Sequence, residues 1–349
     1  ADGTTLDAGS GNIAIDIDTG VATEDTSGDS TIENLTTTGD ISIVNNGDDA
    51  ATANIVRASA DSLITADSVA FDATPSGITT GAVGTAGAPM LISVANVEAI
   101  AQSGGVFLTE TNGLDIGGAD LLALTGITTT NSGNVAIIAT LGSITDSEVM
   151  NINGTTTLTT SEADEDITLD QISTYTGVLD LNTTGTTGDI SVTNAAAAVV
   201  LGDIDANGTF TLETNAGNIT DNAAATYDST ATFTTSTAND DITLDNTSTY
   251  SGAVSLNTNG ATGNASLTNA AAAIDLAALT VGNDLTVETD VGNMTDSGTV
   301  TVGGDGTFTT SAAGATITLD SLAVTGTTTL NPGAGSAATV TGTFATTLN

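Results

Sequence analysis

Apolar and polar positions alternate in short bursts along this chain. In DITLD, Asp241 to Asp245, Ile242 and Leu244 alternate with Asp241, Thr243 and Asp245. That spacing puts the apolar side chains on one face of a strand and the polar ones on the other. The least regular part, residues 1–80, holds strand-like GNIAIDID (Gly11 to Asp18), GDISIV (Gly39 to Val44) and ANIVRA (Ala53 to Ala58). Thr, Ile, Phe and Val fill the bursts while Gly, Asn, Asp and Ser fill the gaps, which is the chemistry of strands and turns. No stretch carries a helical apolar period with caps, so the predicted class is all-β.

The bursts repeat. TLTTSEADEDITLD (Thr157 to Asp170), TFTTSTANDDITLD (Thr232 to Asp245) and TFTTSAAGATITLD (Thr307 to Asp320) start at equal intervals. They define a superrepeat of about 75 residues, well above the length of one solenoid coil. Upstream of each, SGNVAIIATLGSITD (Ser132 to Asp146), NGTFTLETNAGNITD (Asn207 to Asp221) and GNDLTVETDVGNMTD (Gly282 to Asp296) align, so Val135, Phe210 and Leu285 are predicted to hold equivalent core positions. With about nine residues per strand and turn, two such units give a coil of about 19 residues, four of which fill the superrepeat. The prediction is a right-handed parallel β-helix, or β-solenoid, of roughly 18 coils. A stack of β-sandwiches would need longer alternating strands and a richer core. Residues 1–131 read as irregular, drifted coils and 132–349 as regular coils of the superrepeat, together one continuous domain. Ser76 to Pro89 is the candidate for a longer excursion or weak boundary.

Composition narrows the function. The 349 residues carry 42 acidic groups against one basic residue, Arg57, for a net charge of −41. Nucleic-acid phosphate and anionic membrane surfaces would repel such a chain, and metal cations are its natural counterions. The longest run of small apolar residues, Ala195 to Leu201, is far short of the roughly 20 that span a bilayer, so no direct membrane insertion is expected. Mean hydropathy of +0.20 and regularly spaced aliphatic pairs argue against disorder. Lacking an initiator Met and a basic, apolar leader, the chain reads as a mature product or a fragment of something longer.

There is no Cys and no His, which excludes disulfides, thiolate and imidazole metal sites, and Ser-His-Asp or Cys-His catalysis. Clustered carboxylates are the remaining equipment: Asp164, Glu165 and Asp166; Asp240 and Asp241; Asp48 and Asp49. Acids of this kind serve polysaccharide-acting enzymes on β-helices. The first two clusters, however, occupy equivalent repeat positions, and the third copy has Ala315 and Thr316 there. A catalytic site is seldom duplicated and then allowed to lapse, so solvated turns are the preferred reading. Calcium is the sharper alternative, with Asp164, Glu165, Asp166, Asp240 and Asp241 as its candidate oxygen ligands, although no cofactor is required. The tandem nonapeptide calcium pattern is absent, VGGDGTF (Val302 to Phe308) being a lone approximation.

GNITD, NGTFTLET, TFTTSTANDDITLD, GAVSLN (Gly252 to Asn257) and AALTVGNDLTVET (Ala277 to Thr289) resemble the strand repeats of giant bacterial secreted exoproteins and adhesins similar to filamentous haemagglutinin. The resemblance is clearest over Ser132 to Asp320. It implies a right-handed parallel β-helix exported to the cell surface or beyond for adhesion, matrix or filament building, and it carries over no catalytic residue. The expectation is therefore an extracellular, non-enzymatic segment of a bacterial surface fibre, adhesin or matrix protein. Its expected partners are further copies of itself, joined end to end, and surface glycans or matrix. The alternative is a β-helical polysaccharide-acting enzyme.

Overall fold

A computed structural model describes residues 5–17, 28–47, 52–75, 77, 79–271 and 273–344; Asp48 and Asp49 lie outside them. The described chain is all-β, with parallel strands stacked as a β-solenoid of about 13 turns and no helix. It divides into two compact units, Ala1–Asp180 and Leu181–Asn349.

In the second unit the alternating bursts form two sheets. One is built from Ile190–Ala195, Phe210–Thr214, Ala231–Ala238 and Ala253–Asn259, and the other from Val199–Ala206, Ile242–Tyr250, Ala265–Asn269, Leu285–Thr289 and Gly306–Thr310. The in-register column Ile219, Ile242, Ala265, Leu285, Gly306, Thr328 shows how far the chain travels per coil. Every step is longer than the coil of about 19 residues that the strand pattern predicts. The turns between strands take more of the chain than that pattern suggests, so the coils are fewer than expected.

The longer coil changes the meaning of the superrepeat. One copy makes three and a half coils instead of four, so each copy of the phrase lands on the sheet opposite its predecessor. Phe210 pairs with Ala231 in the first sheet, whereas Leu285, its repeat equivalent, pairs with Ala265 and Gly306 in the second. Phe233 and Phe308 are likewise on different sheets. The two sheets consequently have interchangeable interiors. Tyr227 and Tyr250 pair in register and stack with centroids 4.8 Å apart, and Phe210 and Phe233 meet Tyr227 at 4.9 and 5.6 Å. Aromatic pairs of this kind add about 0.5–1.5 kcal/mol each beyond burial.

The first unit uses a different pitch. Its inward column Ile15, Ile43, Phe71, Ala99, Ile127 advances by one constant step, longer than any in the second unit's column, and the step shortens only on reaching Met150. Strand Asn96–Ala101 forks the next coil: Asn96 and Val97 pair with Asp115 and Ile116, while Ala99 to Ala101 pair with Ile127 to Thr129. Residues 117–126 are looped out of the ladder opposite Glu98.

Candidate functional site

The sequence-predicted acids sit in turns whose design the three copies share. Thr160, Thr235 and Thr310 are buried, and each hydroxyl donates to a carbonyl further along the turn, that of Glu165, Asp240 and Ala315, at 3.1, 3.2 and 3.2 Å. To fold back, the backbone becomes left-handed at Asp164 (φ 68°), Asn239 (φ 71°) and Gly314 (φ 85°), the conformation that Gly, Asn and Asp adopt most readily. The turn thus recruits a carbonyl at one position and backbone tolerance at another. Neither needs a carboxylate, which accounts for the acids lapsing in the third copy.

Where those acids persist, they brace the neighbouring coil. Glu165 accepts the Ser143 hydroxyl at 2.6 Å and Asp240 accepts the Gly217 N–H at 2.6 Å. Asp241 belongs to a ladder in which each side-chain oxygen takes the backbone N–H of its counterpart one coil on. The series runs Asn218 to Asp241 (2.9 Å), Asp241 to Asn264 (2.7 Å), Asn264 to Asp284 (3.2 Å), Asp284 to Asp305 (2.8 Å) and Asp305 to Thr327 (2.6 Å). Asp166 donates its own N–H to Ser143 Oγ at 3.0 Å, the equivalent link in the earlier copy.

A second device lies at the ends of the ITD, NITD and NMTD phrases. Asp221 spans two consecutive N–H groups of the next coil, Asp245 at 3.1 Å and Asn246 at 3.2 Å, and Asp296 does the same with Asp320 and Ser321 at 2.7 and 2.8 Å. Asp146 reaches Asp170 at 2.7 Å and Gln171 at 3.4 Å. Burial lifts the Asp146 carboxyl to about 6 against the lowering influence of those N–H donors, and raises Asp221 in the same way.

The acids that converge are others. Glu98, Asp120 and Glu148 bring one carboxylate oxygen each within 4.8 Å of one another, and none of the five sequence-predicted ligands is among them. The fork explains the meeting. Ala99 points inward, so Glu98 lies on the outer side of its strand, yet it is fully buried. Ala119 and Asp120 donate their N–H groups to its Oε1, both at 3.0 Å, and Glu148, from the short link one coil on, accepts the Gly126 N–H at 2.9 Å. Burial foremost, and the adjacent Glu148 charge, hold the Glu98 carboxyl above its ordinary range.

Among known sequences, a family described as repeats of unknown function (DUF5649) matches residues 187–257 and 262–322. No curated protein and no solved structure matches. The starts of the two matched segments, at 187 and 262, are separated by the same interval as the phrase starts at 157, 232 and 307. The two matches therefore recur on this chain with the period of the three-and-a-half-coil repeat, and both fall in the second unit.

The spacing 146, 221, 296 was open to sequence reading, since those aspartates close aligned phrases. Glu98 and Glu148 were not, because neither has an acidic equivalent one repeat further on, where Ser173 and Ala223 stand. The one available hint is an acid inside NVEAIA (Asn96 to Ala101), where apolar neighbours surround it.

Proposed function

We propose that this chain is a non-enzymatic structural segment of a bacterial extracellular or cell-surface fibre, adhesin or matrix. The observation that carries the reading is the use made of its polar groups. From one repeat to the next they serve coil-to-coil hydrogen bonds, as in the ladder from Asn218 to Thr327, so the repeat has the character of a building element. A charge of −41 suits a body that stays soluble alone and associates with its own kind when divalent cations screen it. End-to-end association of copies, and contact with surface glycans or matrix, complete the proposal.

Two measurements test it. Antibody labelling of intact cells of the source organism is expected to match labelling after permeabilisation, and labelling confined to permeabilised cells would overturn the extracellular assignment. Electron microscopy of the purified chain at low salt is expected to find chains of particles with calcium and single particles with excess chelator. Identical behaviour in both would remove cation-screened assembly.

A further inference from the structure

Three acids crowd the fork in the first unit with no basic group to balance them. Arg57 is the only basic residue of the chain, and its guanidinium donates to the Ala60 carbonyl at 3.2 Å. Glu98 is fully buried and, among the described residues, its Oε2 receives no N–H or O–H donor, although Oε1 has two; the carboxylate of Glu148 lies against the Glu98 carboxylate instead. Leaving such an oxygen bare in the interior is costly. The groups that gather with this carboxylate are themselves acidic, Asp120 and Glu148, each with an oxygen within 4.8 Å of the others.

We propose that Glu98, Asp120 and Glu148 hold one divalent hard cation of the calcium type, which ties the looped-out segment 117–126 to the following coil. The geometry suits it. Oxygens bound to calcium at about 2.3–2.6 Å lie no more than about 5 Å apart across the ion, and the three carboxylates meet that bound at 4.8 Å. The ligand set is oxygen only, the kind that hard cations take. Glycine makes room: a Cβ on Gly117 would stand 2.7 Å from the Glu148 Cβ, and Gly117 has φ 126°, so a side chain there would push Glu148 away. Each ligand also comes from a different piece of chain, namely the strand, the looped-out segment and the next coil. An ion at this point therefore does what neither fork branch does alone, fastening the excursion down at both sides.

Calcium uptake by the whole chain tests this, measured by equilibrium dialysis or calorimetry near neutral pH in about 0.5 M sodium chloride to suppress diffuse counterions. One saturable site per chain is expected, with Kd between about 10⁻⁵ and 10⁻³ M. Glu98→Gln and Glu148→Gln should abolish it and Asp120→Asn, at an exposed position, should weaken it at least about tenfold. The double variant Asp240→Asn, Asp241→Asn should leave it intact. Circular dichroism without calcium checks that each variant folds. Protection of 117–126 from a broad-specificity protease by calcium gives a readout in the unmodified chain. If that chain shows no saturable uptake and no calcium-dependent protection, the carboxylates are sharing a proton and the proposal is wrong. It is equally wrong if the site survives in folded Glu98→Gln, Glu148→Gln and Asp120→Asn.

Discussion

Asn239 and Gly314 occupy the same left-handed turn position in successive repeats, after strands that belong to opposite sheets. The chain applies one turn design on both of its faces, and the position demands a left-handed backbone, to which Asn239 adds a side-chain oxygen that accepts the Thr262 N–H at 3.2 Å. This separates the demands of the turn from its charges.

Gly314→Ala is accordingly expected to destabilise the chain by roughly 1 kcal/mol in denaturant unfolding, the cost of a Cβ in left-handed backbone. Among the described residues, no heavy atom beyond Gly314 and its two chain neighbours lies within 4 Å of the added methyl, so crowding does not enter. Asn239→Gly keeps the left-handed backbone but removes the oxygen that accepts the Thr262 N–H at 3.2 Å, a loss of about 0.5–1.5 kcal/mol. Asn239→Ala should lose more than Asn239→Gly, and equal stabilities of the two would show that left-handed backbone is not what the turn requires.

The turn-closing threonines supply a second test. Thr235→Val removes a buried hydroxyl that donates to the Asp240 carbonyl at 3.2 Å, and a loss of about 1–3 kcal/mol is expected from leaving that carbonyl without its donor. Thr310→Val should cost more, since its hydroxyl also accepts the Gly333 N–H at 2.8 Å. Thr235→Ser should recover most of the stability. Chemical denaturation of the three variants against the parent orders them.

Much of this was legible in the sequence, for reasons particular residues make plain. Ile242 and Leu244 alternate with polar neighbours, and both prove buried. The period was equally visible. What it meant was not, because four short coils and three and a half longer ones fill one repeat equally well, and only strand pairing tells which sheet receives Phe210 and which Leu285. In the first unit the column Ile15, Ile43, Phe71, Ala99, Ile127 keeps a constant step. Its members share little beyond being apolar, so no phrase advertises the step. The acids differ in the opposite direction: those adjacent in DED and DD are plain in the sequence, whereas Glu98, Asp120 and Glu148 meet only because a fork leaves 117–126 looped out of the ladder opposite Glu98.

Asp221 and Asp296 yield a third prediction. Each carboxylate closes two backbone N–H groups of the following coil, and hydrogen bonds to charged acceptors contribute about 1.5–3 kcal/mol. Asp296→Ala should lower stability by about 2 kcal/mol or more, with Asp296→Asn falling between it and the parent because one oxygen remains to accept. A null effect in thermal and chemical unfolding would mean that water replaces the carboxylate without loss.

Glu110 makes stability depend on pH. It follows Leu35, Ile64 and Ile92 in an inward column of the first unit and is fully buried. Its Oε1 accepts the Thr111 and Asn112 N–H groups at 2.8 and 2.9 Å, and Oε2 accepts that of Val94 at 3.2 Å. Burial nonetheless outweighs these donors and lifts the carboxyl from 4.5 to about 7, which corresponds to roughly 3 kcal/mol. Below pH 4.5 the group is protonated whether the chain is folded or not and has no effect. Between 4.5 and 7 the folded chain keeps a proton that the unfolded chain has released, so stability falls as pH rises; above 7 the loss is complete and the curve flattens. Glu110→Gln cannot titrate, yet it retains an oxygen for Thr111 and Asn112. Mutual repulsion among the other carboxylates slopes the same way in both proteins, which makes the difference between their curves the informative quantity. Urea unfolding across this pH range should give the variant the shallower slope, and parallel curves would show that Glu110 ionises at its ordinary value despite its burial.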